Sequence, residues 1–358
     1  MKIIHCADLH LGSPLNSNFS LEKSKIRKNE ITTSFYRLVD YATENQVDVV
    51  LVVGDLFDAA KITQKLEKTI LDKIASAPQI TFLYVKGNHD AEFSFSAEIP
   101  ENLYVFEDGY DVFELDGVSV GAFSHPSEEM LKSFSLMNFK KDNFNILAMH
   151  ASVTNTYADY SIKIDDFSGR NIDYIALGHY HTFTSAILDK RGVYSYSGAL
   201  DGRGFDETGN KGFVLIDTSE KKYEFVPFSS RVIYDIDIDI TEITSTVDLI
   251  ELIKHNTEHT NEEDIVRITL VGAKDITIDT QLISNNFVDE FFYFTIRDNS
   301  VQRIDFREYE NDISLKGEFI RLVNSSDMSD KQKSDVITAC INAFNSEVSL
   351  LWDLLDVI

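Results

Sequence analysis

Cysteine is scarce, with only Cys6 and Cys340 in a chain of 358 residues. Two thiols cannot make a disulfide framework, and the pattern does not suggest a secreted scaffold. Both are read as buried thiols. Proline is scarce as well, at five residues, so the domain boundaries are soft. No apolar run approaches the roughly 20 residues of a membrane span. The opening residues Met1, Lys2, Ile3, Ile4 and His5 hold no signal-peptide apolar region, so the cytoplasm is the expected location. Internal repeats and low-complexity linkers are missing too. Basic charge is the largest shortage: 33 Lys and Arg stand against 59 Asp and Glu, a formal net charge of -26. A protein that wraps nucleic acid by itself is normally basic. That excludes a broad non-specific nucleic-acid surface but not a small anion site, because bound divalent cations reverse the local sign.

Apolar types make up 43% of the chain and charged types 26%, a balance that suits a folded soluble protein. The length suggests two domains with a small appendage. Buried strands are expected at 3–7, 47–53 and 80–85, separated by amphipathic helices over 21–46 and 62–77. This βαβαβ order argues for a layered α/β domain. Later strands at 118–123, 145–149, 174–177, 193–197, 212–216 and 223–226 lack long helices between them, which suggests a second sheet packed on the first. One large domain is read over 1–228. A small α+β unit follows over 229–312, opening on the alternation Ile236-Asp237-Ile238-Asp239-Ile240. A helical segment over 313–358 ends in the apolar run from Leu350 to Ile358, a candidate partner-binding helix or a helix packed on its own domain.

Five short segments place metal-ligand residue types just after an expected strand. They are Asp8 and His10 in Ala-Asp-Leu-His-Leu-Gly, Asp55 in Gly-Asp-Leu-Phe-Asp, Asn88, His89 and Asp90 in Gly-Asn-His-Asp, His150, and His179 with His181 in Gly-His-Tyr-His. Strand carboxyl ends are where loops of α/β proteins converge on a ligand. Imidazole with carboxylate suits Mn, Fe or Zn rather than Ca or Mg alone. Two divalent cations bring four positive charges and two carboxylates remove two. The centre would stay electropositive and hold an anionic phosphate ester.

The same order of motifs resembles the calcineurin-like metallophosphoesterase superfamily over roughly residues 1 to 228. Ala-Asp-Leu-His-Leu-Gly, Gly-Asp-Leu-Phe-Asp and Tyr-Ile-Ala-Leu-Gly-His-Tyr-His resemble the SbcD-type DNA repair exonucleases, and the stretch Ser197 to Glu207 is similar to their YhaO-like branch. The resemblance implies a four-layer sandwich, two mixed sheets flanked by helices, with an α+β capping domain and C-terminal helices. It implies two metal ions, Mn first, with Fe, Zn or Mg as alternatives. Asp8, His10 and His181 would hold one ion and Asn88, His150 and His179 the other, with Asp55 bridging. His89 would contact the scissile phosphate and protonate or stabilise the leaving oxygen, and Asp90 could orient it. DNA would be the substrate, with an SMC-like (SbcC-type) ATPase as partner, homodimerisation, and no membrane. The acidic total keeps a second reading open, a small-molecule phosphodiesterase or phosphatase. The protein phosphatases of this superfamily carry Arg after the second motif and before Gly-Asn-His, where this chain has Asp58-Ala59-Ala60 and Lys86-Gly87.

Other residues admit blander readings. Asp58 is either a support to the centre or a turn residue. Arg203 either reaches a substrate phosphate with its fork of donors or pairs with Asp206 or Glu207. Lys23, Lys25, Arg27 and Lys28 form either a solvated helix face or a local phosphate track. His5 is read as a core histidine, His125 as structural, and His255 and His259 as surface residues.

Overall fold

The computed structural model describes residues 1–15, 19–58, 62–106, 109–124, 139–156, 158–303, 312–329, 332, 333, 336, 337 and 340. His125 and the terminal run from Leu350 lie outside the described residues. The chain divides into two compact units, Met1–Tyr234 with Glu263–Ile265, and Asp235–Glu262 with Val266–Ile358.

The first unit opens with strands β1 (Lys2–Cys6), β2 (Val49–Val53), β3 (Thr81–Val85) and β4 (Leu103–Val105). Next come β5 (Tyr110–Leu115), β6 (Val118–Phe123), β7 (Phe144–His150), β8 (Ser152–Val153) and β9 (Ser161–Ile162). It continues with β10 (Tyr174–Gly178), β11 (Thr184–Ile187), β12 (Val193–Tyr196), β13 (Gly212–Asp217) and β14 (Lys222–Pro227). Two six-stranded mixed sheets result, ordered β14-β13-β1-β2-β3-β4 and β11-β12-β10-β7-β6-β5. In the first sheet β1 to β4 run parallel, and in the second β6, β7, β10 and β12 do. The carboxyl ends of β1, β2 and β3 therefore share one edge of the first sheet, and those of β7 and β10 one edge of the second.

All five residues of β2 are buried, as expected where both faces of a parallel strand are covered. Val49, Leu51 and Val53 join a core with Val120, Ala122, Ile146 and Ala176 of the second sheet. Val50 and Val52 face the other way, onto helices α1 (Leu21–Glu44) and α2 (Gln64–Ala75). Those helices bury stripes at helical spacing, Ile31, Phe35, Leu38 and Ala42 on α1 and Ile70 and Ile74 on α2. Each such side chain contributes about 1.5–3 kcal/mol on burial. Ser20 and Thr63 cap the two helices, their hydroxyls accepting from Lys23 N and Leu66 N. On the outer face of the second sheet, Leu147, Met149, Ile175 and Leu177 pack against Phe139, Phe167 and Ile172. Among the described residues a 3₁₀ turn, Ile164–Phe167, lies on that face.

The second unit contains most of a three-stranded sheet, ordered β15 (Ile233–Asp239), β16 (Ile265–Val271) and β18 (Tyr293–Asp298). It also contains the short pair β17 (Ala273–Lys274) and β19 (Val301–Gln302), and helices Thr246–Asn256, Thr280–Ser284 and Leu315–Asn324. Ile320 and Val323 of the last helix pack with Ile337. Among the described residues no helix is long and apolar enough to cross a membrane.

Candidate metal centre

Each strand end delivers its side chains through a constrained turn. Asp8, His10, Asp55 and His179 all have positive φ, 53°, 46°, 50° and 100°. Such backbone is uncommon outside glycine and collects at functional sites. The glycines beside them leave room for the ligands. A Cβ on Gly54 would lie 2.0 Å from His150 Nδ1, one on Gly87 2.3 Å from Asp55 Oδ1, and one on Gly178 2.0 Å from the Val53 carbonyl oxygen.

The seven expected ligands converge. His10 Nε2 lies 3.4 Å from His181 Nε2 and 3.6 Å from Asp55 Oδ2. His181 Nε2 is 3.8 Å from Asp8 Oδ1. Asp55 Oδ2 is also 3.4 Å from His150 Nε2, so one carboxylate oxygen faces both clusters of imidazoles. Asn88 Oδ1 lies 2.9 Å from His150 Nε2 and 3.2 Å from His179 Nδ1. Asp8 accepts from the backbone N–H of His179, and Asp55 from that of His89. Asp8, His10, Asp55 and His150 are buried, whereas His89 keeps 45% of its side chain exposed at the rim.

The groups behind the imidazoles fix which nitrogen faces inward. His181 Nδ1 donates to Glu207 at 2.7 Å and His150 Nδ1 to the Val53 carbonyl at 3.1 Å, and Asp58 Oδ1 lies 2.8 Å from His10 Nδ1 as a close charged neighbour. In the tautomer with Nδ1 protonated, the inward Nε2 atoms are free to donate a lone pair to a metal. Two such nitrogens 3.4 Å apart, with two carboxylates beside them, call for a proton or a cation between them. The donor set therefore fits divalent metal. The acid–base balance points the same way. Burial alone would lower the pKa of His150, but hydrogen bonding and charge from Asp55, aided by Asp8, push it up to about 9. Burial would raise Asp55, yet His150 and His10 hold it well below the usual carboxylate range. The pocket draws positive charge.

Two expectations need correcting. Asp90 does not orient His89. It is fully buried and accepts from Tyr84 Oη at 2.5 Å, Gly87 N at 2.7 Å and Phe57 N at 3.2 Å, so it ties the metal loop to the fold. The carboxylate near His89 is Asp58, with its Oδ1 3.6 Å from His89 Nδ1. Arg203 is not free for substrate. Its Nε and a terminal nitrogen donate to Glu207 at 3.0 and 2.8 Å, and its other terminal nitrogen donates to Asp58 at 3.2 Å. Of the basic cluster on α1, Arg27 is buried and donates to Asp201, Glu30 and the Gly202 carbonyl. It is neither a solvated residue nor a phosphate track. His5 is buried with its Nδ1 2.9 Å from Tyr174 Oη, Cys6 is buried and Cys340 partly so, and His255 and His259 are exposed. Sequence reasoning passed over Lys211, whose buried ammonium donates to the His181 carbonyl at 2.7 Å, and Glu207 as a support to His181.

A family model for calcineurin-like phosphoesterases matches residues 1–183. The chain belongs to that family. Its two mixed sheets and strand-end centre are those of a metallophosphoesterase, a hydrolase fold that works with a dinuclear metal site. Among its relatives, the uncharacterized metallophosphoesterase YhaO of Bacillus subtilis (strain 168) is 24% identical over 280 residues, covering 71% of this chain and 67% of that protein. The DNA double-strand break repair protein Mre11 of Sulfurisphaera tokodaii is 28% identical over 240 residues, covering 61% and 60%. An SbcCD nuclease subunit of Staphylococcus epidermidis is 26% identical over 271 residues, covering 63% and 69%. The match thus spans about 60 to 69% of these relatives' own lengths.

Proposed function

We propose that this chain is a two-metal phosphodiesterase that cleaves DNA, a nuclease of the kind its Mre11 and SbcCD relatives are named for. The observation that carries the reading is the meeting of both imidazole clusters on one oxygen of Asp55, 3.6 Å from His10 and 3.4 Å from His150. In this reading Asp8, His10 and His181 hold one ion, Asn88, His150 and His179 the other, and Asp55 both. The imidazole-rich donor set favours Mn, with Fe, Zn or Mg as substitutes. When bound, the ions supply positive charge to the phosphoryl oxygens and activate an attacking water.

The chain's own residues do the rest. His89 stands at the open rim with Nδ1 toward Asp58, which leaves Nε2 for the substrate. There it donates a proton to the leaving oxygen of the cleaved ester. Asp90 keeps His89 and Asn88 in reach by holding Gly87 N and Phe57 N. An SbcC-type ATPase and a second copy of the chain are the proposed partners, and the helical segment over 313–358 is the proposed docking element for the ATPase.

The test is cleavage of end-labelled linear duplex DNA by the purified chain with Mn, beside His89→Ala and Asp55→Ala. Mn-dependent cleavage lost in both variants supports the reading, and cleavage that survives both refutes the site. The net charge of -26 favours one other reading, a phosphodiesterase or phosphatase on small molecules. Fast hydrolysis of a chromogenic ester, with DNA left intact even beside the ATPase, would select it.

A further inference from the structure

We propose that Asp58, Arg203 and Glu207 form a clasp behind His10 and His181 that sets the order of metal loading: the ion on that side binds first and more tightly. The inference deepens the reading above and rests on it for a centre of two ions. The supports of the two sides differ in kind. Behind His10 and His181 stand carboxylates, at 2.8 and 2.7 Å from Nδ1. Behind His150 the hydrogen-bond acceptor is the neutral carbonyl of Val53, at 3.1 Å, and the nearest carboxylate, Asp8, stays 3.9 Å from the same nitrogen. A carboxylate acceptor makes an imidazole the stronger metal donor, and loss of such a partner typically weakens metal binding about 10- to 100-fold.

The clasp is also rigid. Arg203 spans both carboxylates, with 3.2 Å to Asp58 and 2.8 Å to Glu207, and its own N–H donates to the second oxygen of Glu207 at 2.8 Å. Only 4% of the Glu207 side chain is exposed, and 21% of that of Arg203. The two imidazoles are thus held from behind by one ion-paired unit that joins loops 145 residues apart, between Asp58 and Arg203. Less side-chain order is left to impose when the metal arrives.

The experiment is titration of the metal-stripped full chain with Mn, free Mn being followed by its paramagnetic resonance signal. The expected result is two steps at least tenfold apart. His10→Ala should remove the tight step and His150→Ala the weak one. Glu207→Gln, which keeps an acceptor but drops the charge, and Arg203→Gln should each weaken the tight step about 10- to 100-fold and leave the weak step within about twofold. The metal-free melting temperature is the control for folding, and Glu207→Gln decides the matter where Arg203→Gln does not fold. Two equivalent steps in the wild-type chain, or a tight step that vanishes with His150→Ala, would overturn the loading order. A chain that binds no Mn at all would instead overturn the metal-centre reading beneath it.

Discussion

Gly54→Ala should disable the centre without touching a ligand. Gly54 has φ +83°, and a Cβ there would meet His150 Nδ1 at 2.0 Å and His150 Cγ at 2.4 Å. Ordinary contact begins near 3.4 Å, so the ring or the backbone must move by about 1.4 Å. His150 has no space to retreat, being fully buried with the Val53 carbonyl at 3.1 Å and Gly178 packed beside it. The ring would lose its Val53 hydrogen bond and its aim at Asn88 and Asp55. A misplacement of about 1 Å in a catalytic site costs roughly 100-fold in rate. The left-handed backbone adds about 1–2 kcal/mol of strain for alanine. Gly117 separates the two effects, since it has φ +72° and nothing within 4 Å of its would-be Cβ. Gly117→Ala should show the strain alone, a small loss of stability with full activity. The assay is hydrolysis of a chromogenic diester at saturating Mn, with bound Mn counted in parallel. Gly54→Ala retaining more than a third of wild-type activity and its full Mn content would refute the reasoning.

Two further substitutions probe the parts around the centre. Asp90→Asn replaces an acceptor of three hydrogen bonds, from Tyr84, Gly87 and Phe57, with a group that turns a donor on at least one of them. It should cost about 2–4 kcal/mol in urea unfolding, whereas Tyr84→Phe should cost about 1 kcal/mol. Equal costs would mean that Asp90 serves Tyr84 alone. His5 is buried neutral, with burial lowering its pKa from 6.5 to about 3. The unfolded chain therefore takes up the proton first, and stability falls as pH drops below 6.5 toward 3. At pH 5 the loss is about 2 kcal/mol, from 1.5 pH units at about 1.36 kcal/mol each. In the metal-free chain His5→Gln should lose about 2 kcal/mol less than wild type between pH 7.5 and 5, and equal losses would show that His5 does not set this slope.

The candidate metal ligands were legible because the chemistry uses few residue types at short spacing after apolar strands. Five of nine histidines fall in those segments, and all five reach the centre or its rim. The central strands were legible for the same reason as β2, a run of apolar residues buried on both faces. Of the four edge strands, β14 was expected, at 223–226, and β4, β5 and β11 were not. In β5 Asp111 and Glu114 interrupt the apolar pattern, and β4 is only three residues long. The supports of the centre were hidden by distance along the chain. Asp58 meets Arg203 across 145 residues, and Arg27 meets Asp201 across 174. Arg27 has the sequence look of a solvated helix residue, and only its buried acidic partner makes its burial tolerable. Asp90 misled because adjacency in Gly-Asn-His-Asp suggests contact with His89. The turn instead directs its carboxylate inward, toward Tyr84.

Charge at the centre resolves part of the tension between an acidic chain and an anionic substrate. Four carboxylates touch the imidazole nitrogens, Asp8, Asp55, Asp58 and Glu207, and one guanidinium, Arg203, pairs with two of them. Without metal these five groups sum to three net negative charges, two when His150 is protonated, and would repel a phosphate. Two divalent ions turn it to one net positive charge. The sign of the site is thus set by loading, while a formal charge of -26 on the whole chain barely moves. Salt screens charges beyond about 8–10 Å at physiological strength, so the distant acidic surface is muted there and the centre is not. Under the proposed function, substrate affinity is then expected from the loaded centre and a partner's surface, in line with the acidic total of the chain.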